Sequence, residues 1–408
     1  MNVPRVQTDR FDGFVHADEG RLVDGAGRPL LLRGVGPGNW LLPEGYMWGF
    51  DGGPQSPREI EALVIDLVGP DRAARFWRGF QDSFITAVDI ARIAAEGFDH
   101  VRLPINSRIV MDAGGALIAC GMELIDRTIE WCRTHGLWVV LDLHGAPGGQ
   151  TGTTIDDSPR GRPELFENQS YRLFTVVLWR TLAERYSAET VVAGYDLLNE
   201  PLPEPWQDLY ADRLVALYRE ITDVIREVDT NHLIIYEGTS GSNNWSIFTE
   251  VWDPNSMLEF HKCSSAPDRP SIQGFLQAGA RLGLQVYMGE GGENNLDWLQ
   301  TAFQLFEDHG ISWNFWPWKK IATPPVAGRV PMRRVHRWLP ERADVTDLDV
   351  LECLHGWDRM AIAFGRRWRR ASTRARHQSR RRSRNTHDHA GVLRASATGS
   401  TAPGSAGP

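Results

Sequence analysis

The chain has 408 residues, 44 Lys and Arg against 52 Asp and Glu, and 42% hydrophobic residues, a balance suited to a globular protein with a sizeable core. No run approaches the ~18 apolar residues of a membrane span, and the start, Met1 to Gln7, carries no apolar segment of the signal-peptide kind, so neither a span nor export is expected and a cytoplasmic location is. Four cysteines standing singly, Cys120, Cys132, Cys263 and Cys353, fit a reducing compartment and exclude a disulfide framework or a zinc ribbon.

Read in chain order, eight short apolar runs stand out at residues 30–35, 100–104, 137–143, 194–198, 233–236, 257–260, 285–288 and 312–316. Between most of them lie stretches with helical spacing: 85–97, 122–135, 168–187, 206–229, 272–283 and 296–309. Alternation of this kind, repeated eight times, predicts a (β/α)8 barrel. An open doubly wound sheet would alternate too, but Gly34-Val35-Gly36-Pro37-Gly38 lacks the glycine spacing of a phosphate-binding turn and does not lead into a helix. Residues 45–79 exceed a normal connection and are expected to form a lid or a pocket wall. The barrel domain is placed at 1–322 and a less defined segment at 323–365. Residues 366–408 hold eleven Arg and one Asp and have no apolar period, so a disordered basic tail is expected there.

Two of the runs end alike. Leu197-Leu198-Asn199-Glu200-Pro201 and Tyr287-Met288-Gly289-Glu290-Gly291 each stop on a glutamate followed by a turn-former. A glutamate at the carboxyl end of a barrel strand stands where barrel enzymes keep their chemistry. Two facing each other across the mouth suit cleavage of a glycosidic bond, which takes one carboxyl to protonate the leaving oxygen and another to attack the sugar. Polar or aromatic residues close other runs as well: Arg102, His144, Asn199, His261 and Trp316. Cations orient carboxylates, amides bond hydroxyls and an indole face stacks on a sugar ring.

The segments Arg102-Leu103-Pro104, Asp142-Leu143-His144-Gly145-Ala146-Pro147-Gly148, Asn199-Glu200-Pro201, Phe260-His261-Lys262, Gly289-Glu290 and Trp313 to Lys320 together resemble glycoside hydrolase family 5, the cellulase A family of retaining β-glycosidases. The opening Arg33 to Leu41 and the His-Gly-Ala-Pro-Gly loop are most similar to its glucanase and exo-β-1,3-glucanase branches. The resemblance, over roughly residues 28–321, implies that Glu200 is the acid/base and Glu290 the nucleophile. It further implies that Asn199 bonds the sugar 2-hydroxyl, that Arg102 keeps the nucleophile ionised, that His144 and His261 line the subsite of the cleaved sugar, that Trp316 is its aromatic floor, and that Asn39 and Trp40 also contact substrate. An acid needs a raised pKa and a nucleophile a nearby cation, so Glu200 is expected to be the raised group. One position departs from the family: Cys263 stands where many members carry an aromatic hydroxyl that bonds the nucleophile.

The function expected is retaining hydrolysis of β-glucans or related oligosaccharides and glycosides, by a monomer without metal or cofactor. The alternatives are a carbohydrate-binding protein with crippled catalysis, motivated by Cys263, and polyanion binding through the tail. A specific nucleic-acid partner is not expected, because the tail offers charge without a stacking platform.

Overall fold

The eight predicted strands pair in parallel and close on themselves. In the computed structural model, which describes residues 8–50 and 53–321, an antiparallel hairpin of β1 (His16–Asp18) and β2 (Arg21–Val23) comes first. The barrel strands follow as β3 (Arg33–Val35), β4 (His100–Asn106), β5 (Trp138–Gly145), β6 (Val192–Asp196), β7 (Leu233–Glu237), β8 (Ser256–His261), β9 (Gln285–Gly292) and β10 (Ser312–Trp316). They are hydrogen-bonded in chain order, with β10 returning to β3. The helices are α1 (Pro57–Val68), α2 (Pro70–Ser83), α3 (Ala87–Glu96), α4 (Ser107–Val110), α5 (Ala119–His135), α6 (Gln169–Tyr186), α7 (Trp206–Arg226), α8 (Thr239–Ser242), α9 (Arg269–Leu282) and α10 (Leu296–Asp308). The chain is thus a (β/α)8 barrel. The gap between β7 and β8 is bridged by the four-residue turn α8 rather than a full helix. The segment 323–365 and the basic tail 366–408 lie outside the described residues.

The barrel interior is layered along the strands. Side chains of a strand alternate between faces, so Trp138 and Val140 of β5, Leu233 and Ile235 of β7 and Met257 of β8 meet at the amino end in an apolar plug with Leu32 and Tyr287. The β1–β2 hairpin closes that end, burying Val15 and Leu22 against the plug. Two residues further along each strand the same faces carry charge: Asp142 on β5, Glu237 on β7 and Glu259 on β8, all fully buried.

Residues 45–79, expected as a lid or wall, fold largely into α1 and α2. Ser56 and Glu59 form a capping box, Ser56 taking the Glu59 N–H and Glu59 the Ser56 N–H, and Pro57 occupies the first helical position. The pair is joined at Gly69, whose φ of 81° places it outside the range comfortable for other residues. Phe76 and Phe80 of α2 pack with Trp48, and Arg58 and Arg108 converge on Asp157 to tie α1 to the loop after β5. After β10, Lys319 and the Trp318 indole both reach Asp89 near the start of α3, which fixes the strand that ends in Trp316.

Candidate active site

At the carboxyl end of the strands, Arg102 of β4 stands in the centre of a ring of acids. Its Nε donates to Asp196 at 2.7 Å, Nη1 to Glu290 at 2.6 Å, and Nη2 to Glu237 at 2.9 Å and Asn199 at 3.0 Å. Asp142 lies 3.0 Å and Glu259 3.5 Å from the same guanidinium. Arg102 is completely buried, where a charge is tolerated only with partners. One cation is divided among five carboxylates. Burial pushes Asp142, Asp196 and Glu259 well above the ordinary carboxylate range despite Arg102. Glu237 goes the other way: burial would raise it, but His261, Arg102 and the Glu200 N–H hold it below its usual value.

Glu290 reaches this ring through an irregularity of β9. Phe260 pairs with Met288 and His261 with Glu290, so Gly289 is left over. An extra residue in one strand re-aims the side chains beyond it; Tyr287 points into the barrel plug and strict alternation would send Glu290 outward. Gly289 is required there, because a Cβ would overlap the Glu259 carboxylate. Burial raises Glu290 to about 7, against the pull of His261, Arg102 and His144 and with the repulsion of Glu200 added. The expectation was of a fully ionised nucleophile; sharing Arg102 with four other acids is why the guanidinium does not achieve it.

Glu200 sits one residue past Asn199 on the turn after β6, with φ at 43° and a side chain 26% exposed toward the cleft. His261 Nδ1 lies 2.6 Å from its Oε1, and Nε2 lies 3.1 Å from Glu259. Burial alone would lower His261, but Glu237 and Glu290, together with the hydrogen bond to Glu200, lift it well above its ordinary value. As an imidazolium it donates from both nitrogens. Burial and Arg102 lower His144 to about 4 despite Glu290. Neutral, it donates from Nδ1 to Asp142 at 2.7 Å and leaves Nε2 to accept from the Asn199 amide at 3.4 Å. The Trp316 ring stacks on His144 at 5.3 Å and 15°, and its Nε1 donates to the Tyr46 hydroxyl at 3.1 Å. The glycines of Gly36-Pro37-Gly38 make room for that indole, since a Cβ at either would press into it.

Seven of the nine predicted residues therefore meet: Arg102, His144, Asn199, Glu200, His261, Glu290 and Trp316. Trp40 does not. It is 1% exposed in the core, and its Nε1 donates to the Gln81 carbonyl near the end of α2. Asn39 is equally buried, has a φ of 68°, and accepts the Glu44 N–H, which makes it a backbone turn residue. Cys263 is half-buried, its thiol pushed up to about 12 by burial and the nearby Glu290. The residues not singled out beforehand are Asp142, Asp196, Glu237, Glu259, Glu44 and Tyr46. Burial pushes Glu44 well above its usual value, with Glu290 and Glu200 reinforcing the shift. Tyr236-Glu237-Gly238 has the same ending, glutamate before a turn-former, that picked out Glu200 and Glu290, so that signal could have found it.

Three overlapping groups bring possible metal-ligand atoms within 4.8 Å of one another: Asp142, His144 and Glu290; Glu200, His261 and Glu290; and Glu237, Glu259 and His261. Every one of them abuts the Arg102 guanidinium or the His261 imidazolium, so their charge is already countered from within the chain and a divalent cation would be repelled by the resident ones.

Among the described residues no helix is long and apolar enough to cross a membrane. A Beta-xylosidase of Phanerodontia chrysosporium is 28% identical over 340 residues, covering 74% of this chain and 70% of that protein. A Probable glucan 1,3-beta-glucosidase A of Aspergillus fumigatus is 34% identical over 224 residues, covering 53% of this chain and 52%, about half, of that relative. Among solved structures, a rutinosidase from Aspergillus niger superposes with a TM-score of 0.56 at 17% identity, covering 73% of this chain and 92% of that one, a likeness of fold. The family described as Cellulase (glycosyl hydrolase family 5) matches residues 72–321. That span runs from α2 to the end of the described chain and contains all seven of the converging side chains, and the chain belongs to glycosyl hydrolase family 5, a family of O-glycosyl hydrolases.

Proposed function

We propose that the chain is a retaining β-glycosidase acting on β-linked glucosyl or xylosyl oligosaccharides and glycosides, with Glu290 as nucleophile and Glu200 as acid/base. The observation that carries the reading is the closeness of the two glutamates: an oxygen of each lies within 4.8 Å of the other and of a His261 nitrogen. Carboxyls about 5–5.5 Å apart suit direct attack by one of them, whereas inversion needs about 6.5–9.5 Å to admit a water. The names of the relatives, a xylosidase and a glucan glucosidase, support the sugar class.

In this reading the Glu290 carboxylate attacks the anomeric carbon while Glu200 gives its proton to the departing oxygen. A water deprotonated by Glu200 then releases the sugar from Glu290. Glu200 has one oxygen against His261, which leaves the other for the leaving group. Asn199 is held between Arg102 and His144 and keeps one amide hydrogen for a sugar hydroxyl. Trp316, braced by His144 and Tyr46, offers an indole edge beneath the ring.

The two glutamates separate kinetically. Glu200→Gln should lower kcat/KM by roughly 10²–10⁴ on a phenyl glycoside, whose leaving group needs a proton, and far less on a 2,4-dinitrophenyl glycoside. Glu290→Gln should abolish turnover of both. Equal losses on the two substrates for Glu200→Gln would contradict the acid role.

A further inference from the structure

We propose that Glu237, at the end of β7, is a positioning residue for the acid: its single carboxylate sets the backbone of Glu200 and the imidazole that faces Glu200 at the same time. The inference deepens the reading above and rests on Glu200 being the acid.

Oε2 of Glu237 accepts the Glu200 N–H at 2.7 Å. Oε1 accepts from Arg102 Nη2 at 2.9 Å and lies 3.5 Å from His261 Nε2. The carboxylate is fully buried, so no water substitutes for these partners. Glu200 is held at a φ of 43°, and Leu202 two residues on at 52°, a left-handed conformation that side-chain-bearing residues seldom adopt unless their surroundings enforce it. The turn is tied from the β5 side by the Asn199 N–H to the Leu143 carbonyl, by Gln150 Nε2 to the Asn199 carbonyl and by the Leu202 N–H to the Gln150 carbonyl. From the β7 side the Ser240 N–H bonds the Leu202 carbonyl and Glu237 takes the Glu200 N–H, so Glu237 is the side chain that grips the peptide carrying the acid.

The same carboxylate governs charge around that acid. It is anionic where its neighbours Asp142, Asp196 and Glu259 are pushed toward neutrality, and its field heads the attractions that keep His261 protonated. The His261 cation in turn donates to Glu200. Glu259, packed against Gly289, accepts from the other ring nitrogen and fixes the ring plane. Glu237 therefore reaches Glu200 by two routes, directly at its peptide and through His261, and reaches Glu290 only at second hand, through the shared guanidinium and through His261, whose Nδ1 lies 4.0 Å from Glu290.

The test compares Glu237→Gln and Glu237→Asp with wild type and Glu200→Gln, on phenyl and 2,4-dinitrophenyl β-glycosides of the sugar that wild type cleaves fastest. Gln keeps the shape and loses the charge; Asp keeps the charge and withdraws the acceptor from the Glu200 N–H. Each should lower kcat/KM on the phenyl glycoside by roughly 10- to 100-fold, a part of what full general-acid catalysis supplies, and on the dinitrophenyl glycoside by no more than about 3-fold. Activity on the second substrate also reports that the variant is folded. Equal losses on both substrates in both variants would mean that Glu237 is only structural, and undiminished phenyl activity that it has no role; either overturns the proposal. If Glu200→Gln itself shows no difference between the substrates, it is the acid assignment that falls.

Discussion

Arg102 decides the electrostatics of the site by being one cation for five acids. A guanidinium devoted to Glu290 would hold it ionised well below neutrality; shared as it is, burial wins and Glu290 rises to about 7. In the proposed role of nucleophile Glu290 attacks only as the carboxylate, so the sign is fixed: kcat/KM on a dinitrophenyl glycoside should be full above about pH 7 and fall roughly tenfold per pH unit below it. Replacing Arg102 by Lys, which lacks the fork that reaches Asp196, Glu237 and Glu290 together, should move that limb to higher pH and lower the plateau. A limb near pH 4–5 in the wild type would show instead that His261 and Arg102 keep Glu290 charged. At this scale the sequence was legible where chemistry sits at strand ends. It was read too narrowly at Glu237, which carries the same strand-end signature, and Asp142, Asp196 and Glu259 were passed over because a buried acid inside a strand is indistinguishable, in one dimension, from an exposed one.

The elements show why some placements could not be read. The extra residue in β9 that turns Glu290 into the cleft follows from which residues of β8 and β10 it faces, and pairing across a sheet is not written in either strand alone. The place of Trp40 is hidden for a related reason: the loop after the barrel's first strand turns at Asn39, whose φ is 68°, and the indole joins the core. The start of α1, by contrast, is signalled by Ser56-Pro57-Arg58-Glu59, a capping-box spacing with proline at the first position, and that of α2 by Gly69-Pro70, within the segment expected as a lid or a pocket wall. Gly36 belongs to this scale too, since it exists to let the β10 indole lie across the loop after β3. Gly36→Ala should force its Cβ into the Trp316 ring, which His144 and Tyr46 hold from other sides. The cost should be about 1–3 kcal/mol of stability, read by thermal melting, with kcat/KM falling at least tenfold. Unchanged kinetics would show that the indole can shift without loss and is not the floor of the sugar site.

The molecule as a whole separates its stability from its chemistry along the barrel axis. The amino end is an apolar plug sealed by the β1–β2 hairpin, while the carboxyl end gathers Arg102, the His261 cation, the neutral His144 and six buried or half-buried acids, Asp142, Asp196, Glu200, Glu237, Glu259 and Glu290. Strand number, order and most helices were legible because eight short apolar runs alternate with six stretches of helical spacing, and because parallel strands buried on both faces read as such runs. The hairpin was not, its strands being three residues long. The central claim, that Glu290 attacks the sugar directly, is tested most directly by following the first turnovers of a β-glycoside by proton NMR. Two displacements at one carbon predict that the β-anomer of the released sugar appears first and the α-anomer grows in later by mutarotation. An α-anomer as first product would contradict the account, because it would mean that a water, and not Glu290, had attacked.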